Sequence, residues 1–115
     1  MTVCSCGRHL PADRAGPCPV LLSHGPYAKG ASFQTGYAPT WNRLADEYPE
    51  VTRNTTNKYH NFEVVDPERW VPHGYGVIRV DSRGAGRSPG FLNPFSARET
   101  QDLHDCIEWA AALPW

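Results

Sequence analysis

The chain has 115 residues, of which 40% are hydrophobic and 20% charged, with a formal net charge of -1, the size and balance of one ordinary globular domain. No lysine or arginine cluster marks a face for nucleic acid or an anionic membrane. No apolar run approaches the ~20 residues of a membrane helix, and the first fifteen residues lack the apolar core of a secretory signal.

The expectation is therefore a cytoplasmic chain with neither a nucleic-acid nor a membrane partner and with its oligomeric state open. In that compartment the sequon Asn54-Thr55-Thr56 reads as an ordinary polar loop. Residues 1–15 read as an irregular N-terminal tail and residues 16–115 as the folded part. Cys4, Cys6, Cys18 and Cys106 lack regular spacing and read as free thiols under reducing conditions. Cys4 and Cys6 with His9 and Cys18 can be drawn as a metal site, but structural zinc uses C-x₂₋₄-C pairs rather than C-x-C. No metal and no cofactor are assigned.

In chain order, "PCPVLLS" (17–23) is a short apolar run bounded by prolines and by "HGP", and predicts a strand buried on both faces of a parallel sheet. Trp41, Leu44, Ala45 and Tyr48 fall at i, i+3, i+4 and i+7 between Pro39 and Pro49, which predicts a short amphipathic helix. Residues 50–63 have no sustained period and read as an excursion loop. Asp66 as N-cap, Pro67 at the first helical position and Gly74 as a stop define a brief helix in "PERWVPH". "YGVIRVD" (75–81) is a buried strand. Ser96 and Glu99 form a capping box that opens the clearest helix, with Leu103, Cys106, Ile107 and Ala110 on its apolar face, Gln101, Asp102, Asp105 and Glu108 on the other, and Pro114 ending it. Strand, helix, strand, helix is the alternation of an α/β fold with a parallel sheet and right-handed crossovers.

Between the second strand and the last helix, "GRSPG" (86–90) fits the hydrolase pattern G-x-S-x-G. The pattern requires the serine to leave a strand directly, and the next residue to donate its N–H to an oxyanion. Ser88 lies several residues past the strand and is followed by Pro89, which has no N–H. Gly84 and Gly86 do not complete a dinucleotide-binding G-x-G-x-x-G, because residue 89 is again the proline. The loop reads as a glycine-rich strand-to-helix connection, with Asp81 and Arg83 holding it by charge-assisted hydrogen bonds.

Three stretches, "PCPVLLSHGPYAKG", "NKYHNFEVVDPERWVPHGYGVIRVDSRGAGRSPGF" and "DLHDCIEWAAALPW", together resemble the cocaine-esterase and Xaa-Pro dipeptidyl-peptidase-like (CocE/NonD) family of α/β-hydrolases over residues 16–115. The resemblance implies a partial α/β-hydrolase fold, incomplete at both ends. Family members place two antiparallel strands where this chain has "MTVCSCGRHLPAD", and continue beyond "ALPW" into a strand, a G-x-S-Y-x-G elbow, an acid and a histidine.

The implied activity is ester, amide or peptide hydrolysis through an acyl-enzyme, on a small-molecule or peptide substrate. This chain contains no nucleophile of the family's pattern and is expected to be silent alone. One family position survives in the match: the tyrosine of a strand-end P-Y motif, whose phenol binds the oxyanion, corresponds to Tyr27 after Pro26. Read from its residue type alone, Tyr27 is a half-buried aromatic with a hydrated hydroxyl. Residue 28 departs from the family as alanine. His24 reads as a local hydrogen-bonder beside that position, while His9, His60, His73 and His104 have no carboxylate or serine at a triad spacing. The competing expectation is a non-catalytic module that associates with other proteins through an open strand edge and an exposed helix stripe.

Overall fold

The computed structural model describes residues 6–13, 16–27 and 31–114. Three strands form one sheet in the order β1-β3-β2: β1 spans Cys6–His9, β2 Val20–Gly25 and β3 Gly76–Asp81. β2 runs parallel to β3, from Val20 opposite Gly76 to Gly25 opposite Asp81. β1 runs antiparallel on the other edge of β3, with Cys6 opposite Val80 and His9 opposite Val77.

The sheet is therefore mixed, and residues 6–9 of the expected irregular tail are a strand. "CGRH" carries no β-branched residue and no alternation, so nothing local marks it. The pairing is set from outside, because β3 is buried along its whole length and its peptide groups on that side need partners. Among the described residues β2 pairs on one side only. Its residues are half-buried rather than buried on both faces.

Successive side chains of β3 point to opposite faces. Ile78 and Val80, at most 1% exposed, meet Ala110, with Val20, Leu22, Cys106 and Trp109 packed around them. This is the face covered by α4, Ala97–Ala111. The capping box forms: the Glu99 N–H donates to Ser96 Oγ (3.2 Å), while Glu99 Oε2 accepts from the Phe95 N–H (2.7 Å), one residue earlier than a standard box.

The helix is turned from its expected orientation. Asp102 and Ala110 are its buried residues, whereas Leu103 and Ile107 are 36% and 49% exposed. The cause is the Arg83 guanidinium, which donates from Nε to Asp102 Oδ2 (2.9 Å) and from Nη2 to Oδ1 (2.7 Å). That two-pronged pair draws an acidic residue inward, and the stripe through Asp102, Cys106, Trp109 and Ala110 faces the sheet.

The opposite face of β3 presents Arg79, which is 5% exposed. Its guanidinium donates to the carbonyls of Tyr59 and Val65 and to Asn61 Oδ1, so one buried cation pins the excursion loop to the sheet. Asp66 caps α3 (Pro67–Trp70) by accepting from the Glu68 N–H at 3.1 Å, and its Oδ2 accepts from Thr55 Oγ1 at 2.9 Å. His60 Nε2 lies 2.9 Å from the same oxygen but oblique to it. His60 thus has a companion carboxylate that its spacing does not reveal. A 3₁₀ turn over Val71–His73 follows α3 and ends at Gly74 in the left-handed region (φ 85°).

The amphipathic helix expected between the two prolines is α2, Ala38–Glu47. It is preceded by a single turn, α1, Phe33–Gly36, which no sequence period marks. No described helix is long and apolar enough to cross a membrane.

Candidate functional site

β2 ends at Gly25, whose carbonyl accepts from the Ser82 N–H at 3.0 Å. This bond ties the carboxyl ends of β2 and β3 together at the place where ligands bind in parallel sheets. Pro26 and Tyr27 follow directly. They line a cleft of about 780 Å³ that runs along Leu22–Tyr27 and is closed by Phe62–Val64 on one side and by residues of α4 and its approach on the other.

Tyr27 is 40% exposed. Its ring meets Phe62 edge-on (centroids 5.3 Å apart, 89° between planes) and Tyr37 edge-on (6.1 Å, 90°), while Tyr37 stacks on Phe62 at 4.6 Å. Desolvation and then the neighbouring Tyr27 push Tyr37 above the usual phenol range.

His24 also lines the cleft. Burial lowers its pKa against the opposing pull of Glu99 and Asp102, so it is a neutral imidazole. Its Nε2 is buried with no hydrogen-bond partner among the described residues. The local hydrogen-bonding role expected for His24 has no partner on that nitrogen.

Ser88 lies away from the cleft, is 6% exposed, and donates its hydroxyl to the Asp81 carbonyl at 2.7 Å. Its loop is held as the charges of Asp81 and Arg83 suggest. Asp81 Oδ2 accepts from the Arg87 N–H at 3.2 Å, and Arg83 reaches Asp102. Gly86 (φ 54°) leaves no room for a side chain because a Cβ would collide with the Asp81 carboxylate.

His73 and His104 are exposed on separate helical segments, and His9 packs edge-on against Tyr59 at 5.2 Å. Cys4 and Ala28 lie outside the described residues. Among the described residues no three His, Cys, Asp or Glu side chains gather as a metal site. Glu63 was not among the sequence candidates, since a lone glutamate in an aperiodic loop carries no signal, yet it stands on the cleft wall beside Phe62.

A small mixed sheet of three strands with helices carries a cleft, with a phenol on its wall, at the carboxyl end of its parallel pair, where α/β folds bind ligands. The family model of the X-Pro dipeptidyl-peptidase (S15 family) matches residues 9–115, and the chain belongs to that family. Two crystal structures of a CocE/NonD family hydrolase from Staphylococcus aureus superpose with TM-scores of 0.73 and 0.74 at 30% identity, over 99% of this chain. The chain spans only 18% and 19% of their length. No curated protein matches it.

Proposed function

We propose that the chain is the segment of a serine α/β-hydrolase that carries Tyr27, an oxyanion donor, and that the complete enzyme cleaves esters, amides or peptides through an acyl-enzyme. The observation that carries this reading is the position of Tyr27. Its phenol stands at the carboxyl end of a parallel strand, on the wall of the open cleft. At 40% exposure the Tyr27 hydroxyl is accessible from the cleft and can donate its O–H to an incoming oxyanion. No other chemistry is assigned to this chain, because Ser88 is committed to a backbone carbonyl.

The test is Tyr27→Phe in a protein completed with the remaining hydrolase segment. Loss of the hydroxyl should fall on kcat by roughly 10²–10³-fold with KM nearly unchanged, since the bond forms chiefly in the transition state. A kcat within a few-fold of the parent overturns the role.

A second reading, a non-catalytic association module, draws on Phe91, Phe95 and Ile107, which are 79%, 99% and 49% exposed, and on the edge of β2 that has no partner strand among the described residues. It requires concentration-dependent assembly of the isolated chain, which sedimentation measures.

A further inference from the structure

The two walls of the cleft are held in different ways. Among the described residues four that are not glycine adopt a positive φ: Asn54, Asn57, Glu63 and Phe95. Asparagine tolerates that region, whereas glutamate and phenylalanine enter it only when something imposes it. Those two line the same cleft, Glu63 in the Phe62–Val64 wall and Phe95 in the approach to α4. Backbone strain of this kind collects at ligand clamps and switch regions.

The Glu63 wall is fixed. Arg79 donates to the carbonyls of Tyr59 and Val65 on either side of it, and the ring of Phe62 packs against those of Tyr27, Phe33 and Tyr37. Phe95 has no such frame. Its side chain is 99% exposed, so no packing holds the ring. Its backbone, at φ 61°, is held by the turn into α4: the Phe95 N–H donates to Glu99 Oε2 at 2.7 Å, and Ser96 caps the helix immediately afterwards. A phenylalanine is thus kept in strained backbone and in water at once. The cleft side chains around it are apolar, Pro94 and Leu103 on its own wall and Phe62 and Val64 on the other. Both costs end when φ returns to its ordinary negative range and the ring rests on something apolar in the cleft.

We propose that Phe95 is the closing residue of the cleft: when an uncharged ligand with an apolar ring lies between the two walls, the Phe95 N–H leaves Glu99, the backbone relaxes, and the Phe95 ring folds over the ligand while the Glu63 wall stays still. The ligand drives the change through the contact it makes with the closed ring and lacks in the open state. Closure goes beyond the reading of Tyr27 and needs no nucleophile.

The test uses a protein completed with the remaining hydrolase segment, with Phe95 replaced by para-fluorophenylalanine and benzyl alcohol as the probe. Without probe the fluorine resonance should show the full shift between ordinary and heavy water that marks an exposed ring. Saturating benzyl alcohol should move the resonance and remove most of that solvent shift. The affinities of unlabelled variants follow from the resonance of para-fluorobenzyl alcohol. It should bind Phe95→Gly about fivefold more weakly than the parent, because glycine accepts left-handed backbone without strain and has no ring to close. It should bind Glu99→Gln about threefold more tightly, because a neutral amide oxygen holds the N–H less firmly while still serving the helix cap. A solvent shift that persists at saturation, equal affinity of the parent and Phe95→Gly, or no saturable binding overturns the closure. So does a ring already shielded before probe is added, which would make Phe95 a seat for the remaining hydrolase segment. The oxyanion role is judged separately, by the kinetics of Tyr27→Phe.

Discussion

The side chains that organise this protein are polar ones placed where apolar ones were expected. Asp102 is 5% exposed and held by Arg83 in a two-pronged pair, with Arg98 Nε at 3.2 Å as a third partner. Breaking a pair in which one member is buried leaves a desolvated charge, so Asp102→Ala should lower stability by about 2–3 kcal/mol in a denaturant titration, less than for a fully enclosed pair because Arg83 is 20% exposed. The hydrogen bond from Arg83, ahead of the opposing effect of burial, holds the Asp102 carboxyl below its ordinary value. A group whose folded pKa lies below its unfolded value of about 3.9 stabilises the fold above that pH, and the contribution is lost as pH falls through the folded value. The parent should therefore lose more stability than Asp102→Ala on going from pH 5 to pH 2. Equal losses in the two proteins would remove the pair from the acid response. A charge-assisted hydrogen bond from Arg83 was expected, but its partner was not legible in the sequence, because Arg83 and Asp102 are nineteen residues apart and acidic residues on an amphipathic helix read as its solvent face. What could be read was the local logic of Ser88. The absence of an N–H on Pro89 is a covalent fact, and the hydroxyl indeed has a structural partner in the Asp81 carbonyl.

Among the elements, those with self-contained signals appear where the sequence put them. The β-branched run of β3, the Asp66-Pro67 start of α3 and the Ser96-Glu99 start of α4 each depend on residues within a few positions. Elements fixed by partners were missed. β1 exists because β3 offers it an edge, and α1 because its Phe33 joins the ring cluster with Tyr37, Trp41 and Phe62. The orientation of α4 belongs to the same class, since its hydrophobic period permits two stripes and only the Arg83 contact chooses between them. The choice is measurable in a protein completed with the remaining hydrolase segment, provided that it unfolds in one cooperative transition. Ile107→Gln on the exposed stripe should stay within about 0.5 kcal/mol of the parent, whereas Trp109→Ala should cost about 2–3 kcal/mol, because the indole packs on the cluster of Ile78 and Val80. A larger loss for Ile107→Gln than for Trp109→Ala would return the helix to the orientation its sequence suggested.

As a whole the molecule is thin and open. Its Cα radius of gyration is 15.0 Å, where a self-contained domain of this length would have about 13 Å, and the smallest principal extent is 19 Å. Among the described residues the buried hydrophobic ones are Val77, Ile78, Val80, Ala85 and Ala110, two of them alanines. Ile78 and Val80 capped by α4 on one face of the sheet, and Val77 on the other, remove little apolar surface from water. At ~25 cal/mol per Å² the gain from them is modest against the entropy of ordering the chain. The polar latches of Arg79, Asp66 and Arg83 fix geometry more than they add stability, since each exchanges hydrogen bonds with water for hydrogen bonds within the protein. The isolated chain should accordingly unfold over a broad range of urea, with a slope below about 1 kcal/mol/M, because the slope follows the surface exposed on unfolding and little is buried to begin with. Far-UV circular dichroism should lose its helical signal before tryptophan fluorescence reports full exposure, since α2 with Trp41 is held by the aromatic cluster while α4 is held by the sheet. A single steep transition seen identically by both probes in a monomer would show that the three strands suffice to make one cooperative unit.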